Sequence, residues 1–252
     1  MKKRGQVTVF IIIGLIVVVL VVLLVLNRGD LSNVLVAETP SDRIRNCMSD
    51  PLEESLDIIS RQGGSLVPEN YFLYQGDKIE YLCYTEESYR ACVNQKPLLK
   101  QGIEKELESY IEPRFRNCFN VVKEDLESNG YSVNNKEPII DVGINLNNIE
   151  VVSNLDLVIR KDATESFANI KFSKSSSLYK FIMISSSITN WEARYGDSEI
   201  LNYLIYYPDL RIDKIRRDEG DTVYRLSNVV TGAEVTFASR SLVRPEAEGF
   251  GE

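Results

Sequence analysis

The sequence predicts an α+β protein: one N-terminal transmembrane helix, then an extracellular domain in which amphipathic helices accompany an antiparallel sheet. Three observations carry that expectation. Residues 7–26 hold no charge, and Thr8 is their only polar member. Apolar side chains then recur at helical spacing over 44–59 and 99–126. Between 140 and 172 they alternate instead with polar ones, as strands with one dry face do. At 44% hydrophobic and 26% charged, the 252 residues are ordinary for a folded chain, which excludes general disorder.

The first element is the apolar run. Twenty helical residues rise about 30 Å, the thickness of the hydrocarbon core. Lys2, Lys3 and Arg4 precede it, and Arg28, Asp30, Glu38 and Asp42 follow it. The basic side stays inside, so the expected topology is single-pass in the cytoplasmic membrane, with the C-terminal domain outside. The expected organisation is a cytoplasmic segment 1–6, a transmembrane helix 7–26, a juxtamembrane linker 27–40, a domain 41–244 and a tail 245–252. A subdivision of the domain is expected near 130 or 195.

Lys3-Arg4-Gly5-Gln6-Val7-Thr8-Val9-Phe10 resembles the class III signal sequence of archaeal type IV pilin-like proteins. The resemblance covers about 20 residues. It implies a prepilin peptidase as partner, a cut between Gly5 and Gln6, and a retained apolar helix that packs against other subunits.

Charge narrows the partners. The chain carries 29 basic and 37 acidic residues, a net charge of −8. Without Lys2, Lys3 and Arg4 the remainder holds 26 basic residues against 37, or −11. Phosphate backbones repel such a domain, so nucleic acid is excluded as a partner. No Asn begins an N-x-Ser/Thr sequon, which removes the usual glycosylation acceptor.

Four cysteines, Cys47, Cys83, Cys92 and Cys118, allow three pairings. Cys83 and Cys92 are nine residues apart and suit a small closed loop, which leaves Cys47 to staple to Cys118. The close spacing of a zinc site is absent.

The remaining elements follow in order. Ile44, Cys47, Met48, Leu52, Leu56 and Ile59 share a helical face, interrupted by Pro51 and stopped by Gly63-Gly64. Tyr71–Tyr74 and Ile79–Tyr84 flank a Gln75-Gly76-Asp77 turn and read as a hairpin. The strongest helix carries Leu99, Ile103, Leu107, Ile111, Phe115, Phe119, Val122 and Leu126, contains Pro113 and stops at Asn129-Gly130. Arg43–Met48 and Arg114–Phe119 are similar at an offset of 71, so each helix sets a cysteine beside its apolar stripe. Residues 140–146, 149–159 and 168–172 form a three-strand meander. Leu178–Trp191 and Glu199–Tyr207 read as helices. Strands near 210–216, 222–228 and 234–241 close the domain, with a turn at Thr231-Gly232.

Catalytic signals are sparse. The chain has no histidine, which excludes Ser/His/Asp, Cys/His and HExxH chemistry. No phosphate-binding glycine loop occurs. Asp141 and Asp156 fall in the polar phase of neighbouring strands, where paired carboxylates run acid–base chemistry. Asp218-Glu219-Gly220-Asp221 clusters the oxygens that calcium favours. Both patterns are more often solvated turns and faces, so no catalytic residue, metal ligand or cofactor is assigned. Tyr71, Tyr74, Tyr81, Tyr84 and Tyr89 crowd one stretch, and tyrosine serves both cores and recognition surfaces. The expected function is a non-enzymatic, membrane-anchored cell-surface protein of pilin-like structural or assembly type. Its partners are then the lipid bilayer, further copies of itself and other surface proteins. The alternative is an anchored receptor or adhesin that binds carbohydrate or protein.

Overall fold

The computed structural model of the chain describes residues 13–18, 39–217 and 219–243. The chain divides into two units, Met1–Asp42 and Arg43–Glu252. In the first, residues 13–18 are helical. The helix α1, Pro40–Arg61, starts just after Thr39. The Thr39 hydroxyl accepts from the Asp42 N–H at 3.2 Å and donates to the Asp42 carboxylate at 2.7 Å. That is a capped start, with proline at the first helical position, where its missing N–H costs nothing.

The expected membrane helix is corrected here. Among the described residues no helix is long and apolar enough to cross a membrane. Of residues 7–26 only 13–18 are described, and they are helical. The single-pass topology, the cytoplasmic-membrane location, the anchored cell-surface role and the bilayer partner rested on that helix and fall with it. Lys2, Lys3, Arg4, Gly5 and Gln6 lie outside the described residues, as do Asp218 and the tail from 244 onward.

The second unit is α+β with two sheets where one was expected. After α1 come β1 (Tyr71–Tyr74), β2 (Asp77–Tyr84), β3 (Val93–Asn94) and the helix α2 (Leu99–Ser128). Next are β4 (Ser132–Asn134), β5 (Ile139–Ile144), β6 (Asn148–Arg160) and β7 (Thr164–Ser175). Two helices follow, α3 (Leu178–Tyr195) and α4 (Leu201–Tyr206), then β8 (Leu210–Arg216), β9 (Asp221–Asn228) and β10 (Glu234–Arg240). The first sheet has the order β1-β2-β10-β9-β8, with β3 also on β2. It is mixed, because β10 runs parallel to β2 while its other pairs are antiparallel. The second sheet is wholly antiparallel: β6 takes β4 and β5 along one edge and β7 along the other.

Helices complete the second sheet. The residues of α2 that are buried are the eight of its apolar stripe, and they face β5 and β4. Glu104 and Glu108 on α2 reach the edge of β5. Their carboxylates accept from the Ile144 N–H at 2.8 Å and the Val142 N–H at 3.1 Å. Otherwise unpaired strand donors are thereby satisfied by charged acceptors, which blunts an edge that would template foreign pairing. At the opposite edge, Arg45 of α1 donates to the Lys171 carbonyl of β7 at 3.0 Å. The helices α1 and α2 are antiparallel, as the Cys47–Cys118 disulfide and the Arg43–Asp125 ion pair show. Pro51 and Pro113 mark kink points in the sequence, yet both lie inside continuous helices.

On the first sheet, α3 packs against β10, β2 and β3. Leu82, Tyr224 and Phe237 join Phe181 and Ile188 of α3 in the main core, which continues into the α2 stripe. The other sheet face carries a smaller cluster of Ile79, Tyr81, Val223 and Ala238. The β1–β2 turn has Gln75 at φ 53° and Gly76 at φ 97°. Two successive left-handed residues match the twist of a two-residue hairpin.

Candidate cleft between α3 and α4

Helical spacing sorts the side chains of α3 by direction. Ile184, Ser185, Ile188 and Glu192 are buried toward the core. Ser187, Trp191 and Tyr195, each four residues after the last, line another face. Trp191 and Tyr195 are 50% and 53% exposed, and their rings stack at 4.9 Å between centroids with 27° between planes. Two large aromatic side chains are thus stacked face against face and left half-solvated, although burial would stabilise each by about 2 kcal/mol.

The opposite wall is placed by the chain's turn after α3. Gly196 caps the helix at φ 74°, with its N–H on the Glu192 carbonyl at 2.8 Å. That left-handed conformation is open to glycine at little cost. Asp197 follows and binds two cations of β8, the Lys214 ammonium and, at 2.7 Å, the Arg216 guanidinium. Lys214 also donates to the Ser198 carbonyl at 2.7 Å. Burial alone pushes the Asp197 carboxyl up. Lys214 and Arg216 outweigh it and hold the group below the usual carboxylate range. The ion-paired loop then starts α4, which buries none of its residues. Tyr203 of α4 returns to α3 through a 2.7 Å bond between its hydroxyl and that of Ser187.

The result is a cleft of about 450 Å³ lined by Ser187, Trp191, Tyr195, Asp197, Glu199, Asn202, Tyr203 and Tyr206. Its size suits a small-molecule site. A second cleft of about 380 Å³ shares Ser187, Trp191 and Tyr195 and adds Met183, Ser186, Asn190 and Arg194. The stacked aromatic pair is the ridge between them.

A third cavity, about 240 Å³, lies where Gly63 and Gly64 meet the start of α2. Burial raises the Glu80 carboxyl above its ordinary range, with Lys96 at 2.8 Å opposing and Glu106 adding to the rise. Glu106 accepts from the Leu66 N–H at 3.3 Å and the Ser65 hydroxyl at 3.5 Å. Its charged groups already satisfy one another, so we read it as a structural junction.

Beneath the first cleft, the buried Tyr224 hydroxyl donates to buried Glu192. Burial raises the Glu192 carboxyl above its ordinary range, against the Tyr224 bond and the Lys214 charge. The same burial, with the Glu192 charge, pushes the Tyr224 hydroxyl up.

The residues singled out in the sequence fall elsewhere. Cys47–Cys118 and Cys83–Cys92 are disulfides, with Cα atoms 5.6 Å and 5.3 Å apart. The first ties α1 to α2, and the second ties the end of β2 to the loop before β3. Tyr81 is buried and donates to Asp221 at 2.7 Å. Tyr74 and Tyr84 pack around it on the outer face of the first sheet. Tyr71 lies under Lys78 in the β1–β2 hairpin, and Tyr89 is exposed in the loop after β2. None of the three cavities is lined by these tyrosines. Asp141 and Asp156 are not partners: Asp141 accepts from Asn154 at 2.6 Å, and Asp156 pairs with Lys136 at 2.6 Å. Asp156 sits at φ 42° in a bulge of β6, which breaks the alternation that aligned the two. The cleft itself was visible in the sequence only as density: Trp191, Tyr195, Tyr203, Tyr206 and Tyr207 fall within 17 residues.

No family model, curated protein or solved structure matches this chain. The resemblance at residues 3–10 is corrected accordingly. It finds no pilin-like relative, and no helix among the described residues is long and apolar enough to cross a membrane, so the pilin role and the peptidase partner are withdrawn.

Proposed function

We propose that the second unit is a non-catalytic recognition domain that binds a short oligosaccharide in the cleft between α3 and α4. The half-exposed Trp191–Tyr195 stack carries the reading. The axial C–H groups of a pyranose ring form a flat, weakly positive surface that complements the negative face of an aromatic ring. Sugar hydroxyls need acceptors and donors at the rim, and Glu199, Asn202 and the Tyr206 hydroxyl stand there. The ion pairs of Asp197 with Lys214 and Arg216 set the far wall before any ligand arrives, which lowers the ordering cost of binding. Glycoside cleavage takes two working carboxylates across the scissile bond. Here Asp197 is committed to two cations, which leaves Glu199, and that supports binding without turnover.

Trp191 is the chain's single tryptophan, so its fluorescence reports this site alone. The full chain is titrated with tetrasaccharides of glucose, galactose, mannose and N-acetylglucosamine. At least one is expected to shift Trp191 emission to the blue and shield it from acrylamide. Calorimetry on Trp191→Ala is expected to show at least a tenfold loss of affinity, with Tm close to wild type because the side chain is half exposed. An emission spectrum that no sugar moves at millimolar concentration overturns the proposal. The exposed Leu201 and Ile205 then point to an apolar protein partner instead.

A further inference from the structure

We infer that the glycan taken by this domain carries a uronic acid residue, bound in the second cleft with its carboxylate on Arg194. The inference rests on the proposed glycan-binding reading and deepens it. The two clefts share Ser187, Trp191 and Tyr195, so a ligand longer than one ring crosses the aromatic ridge and occupies both.

Their chemistry differs. The first cleft offers Glu199 and the Asn202 amide, which suit neutral hydroxyls and repel a carboxylate. The second offers Arg194, whose guanidinium lies 5.3 Å over the Tyr195 ring. Arg194 is exposed and forms no ion pair among the described residues, whereas Lys214 and Arg216 nearby are both committed to Asp197. A planar guanidinium held against an aromatic face keeps its donor edge free for a two-point bond to a carboxylate. The direction of the chain follows: neutral rings toward Glu199, the acidic ring toward Arg194. The chain's net charge of −8 limits the ligand to few acidic rings, since a long polyanion is repelled by the whole molecule. Arg194 also lies in the last turn of α3, where a cation complements the helix dipole. That role alone predicts an effect on stability and none on ligand choice.

The test compares matched tetrasaccharides of the same linkage, one neutral and one with a terminal hexose replaced by its uronic acid, placed at either end. They are titrated into the full chain with Trp191 emission as the readout. In low salt the uronate form is expected to bind about tenfold tighter than its neutral match, as one desolvated charge-assisted pair allows. Arg194→Gln is expected to erase that preference, so that the uronate and neutral forms bind alike, and Arg194→Lys to retain part of it. Equal binding of the two forms, or weaker binding of the uronate, overturns the inference and leaves the glycan-binding function standing. A loss of both affinities alike in Arg194→Gln also overturns it, since the side chain then only shapes the end of α3. Silence of Trp191 toward every sugar removes both readings together.

Discussion

Replacing Gly196 with alanine tests how the cleft is held. Gly196 closes α3 at φ 74°, and a Cβ built there lies 2.3 Å and 2.4 Å from the two Cγ atoms of Val243 and 2.8 Å from its Cβ. Turning the Val243 side chain does not clear all three contacts, because its Cβ does not move with χ1. Backbone has to shift on one side or the other. A left-handed alanine costs about 1–2 kcal/mol, and overpacking at a fixed site adds about 1–3 kcal/mol. The sum is about 2–5 kcal/mol, which for a domain of this size lowers Tm by roughly 4–20 °C. Thermal unfolding followed by circular dichroism measures the loss. Val243→Gly removes the atoms that collide, so a double-mutant cycle separates the two causes. The overpacking part is expected as a coupling of at least about 1 kcal/mol, and the left-handed part should persist in the double variant. Because residue 197 follows directly, the single variant should also move Trp191 emission. A Tm within about a degree of wild type, or a cycle with no coupling, refutes this account of how α3 ends.

The buried carboxyl of Glu192 predicts a pH dependence. Burial raises its native pKa above the ordinary 4.5, so the native state holds the proton more tightly than the unfolded chain. The stability this contributes is complete below pH 4.5 and is lost as pH rises through the native value. Urea unfolding from about pH 4 to about pH 8 should therefore show Glu192→Gln gaining on wild type as pH rises, and a difference that stays constant rejects the assignment. The disulfides predict an order of stabilities. Loop-closure entropy assigns about 4 kcal/mol to Cys47–Cys118 at a separation of 71 and about 2.5 kcal/mol to Cys83–Cys92 at 9. Denaturant unfolding of the two double-serine variants should rank them in that order; the reverse ranking means that the α1–α2 packing, and not the cross-link, limits the unfolded state.

Much of the second unit was legible because its signals are local. The eight apolar residues of α2 recur at spacings of three and four, and the same eight are its buried residues. The meander β5–β6–β7 and the strands β8–β10 follow from two-residue alternation between turn residues. The N-terminal apolar run misled in the opposite way. Hydropathy describes what a segment would do in lipid, whereas among the described residues no helix is long and apolar enough to cross a membrane. Binding was expected among Tyr71–Tyr89, where tyrosines are dense; Tyr81 is buried in the small cluster on the outer face of the first sheet, with Tyr74 and Tyr84 packed against it.

By itself, then, the sequence determined the α+β class of the second unit, the helices, most strand limits and the acidic balance, since these depend on residues a few positions apart. Tertiary structure alone decided that β2 runs parallel to β10, with Tyr81 beside Ala238, and that there are two sheets. It alone brought Glu104 and Glu108 to the edge of β5, and Lys214 and Arg216 of β8 to Asp197. The physical reason is the same in each case. A side chain's own neighbours set its local conformation, but an exposed aromatic pair becomes a cleft only when segments distant in the chain close around it.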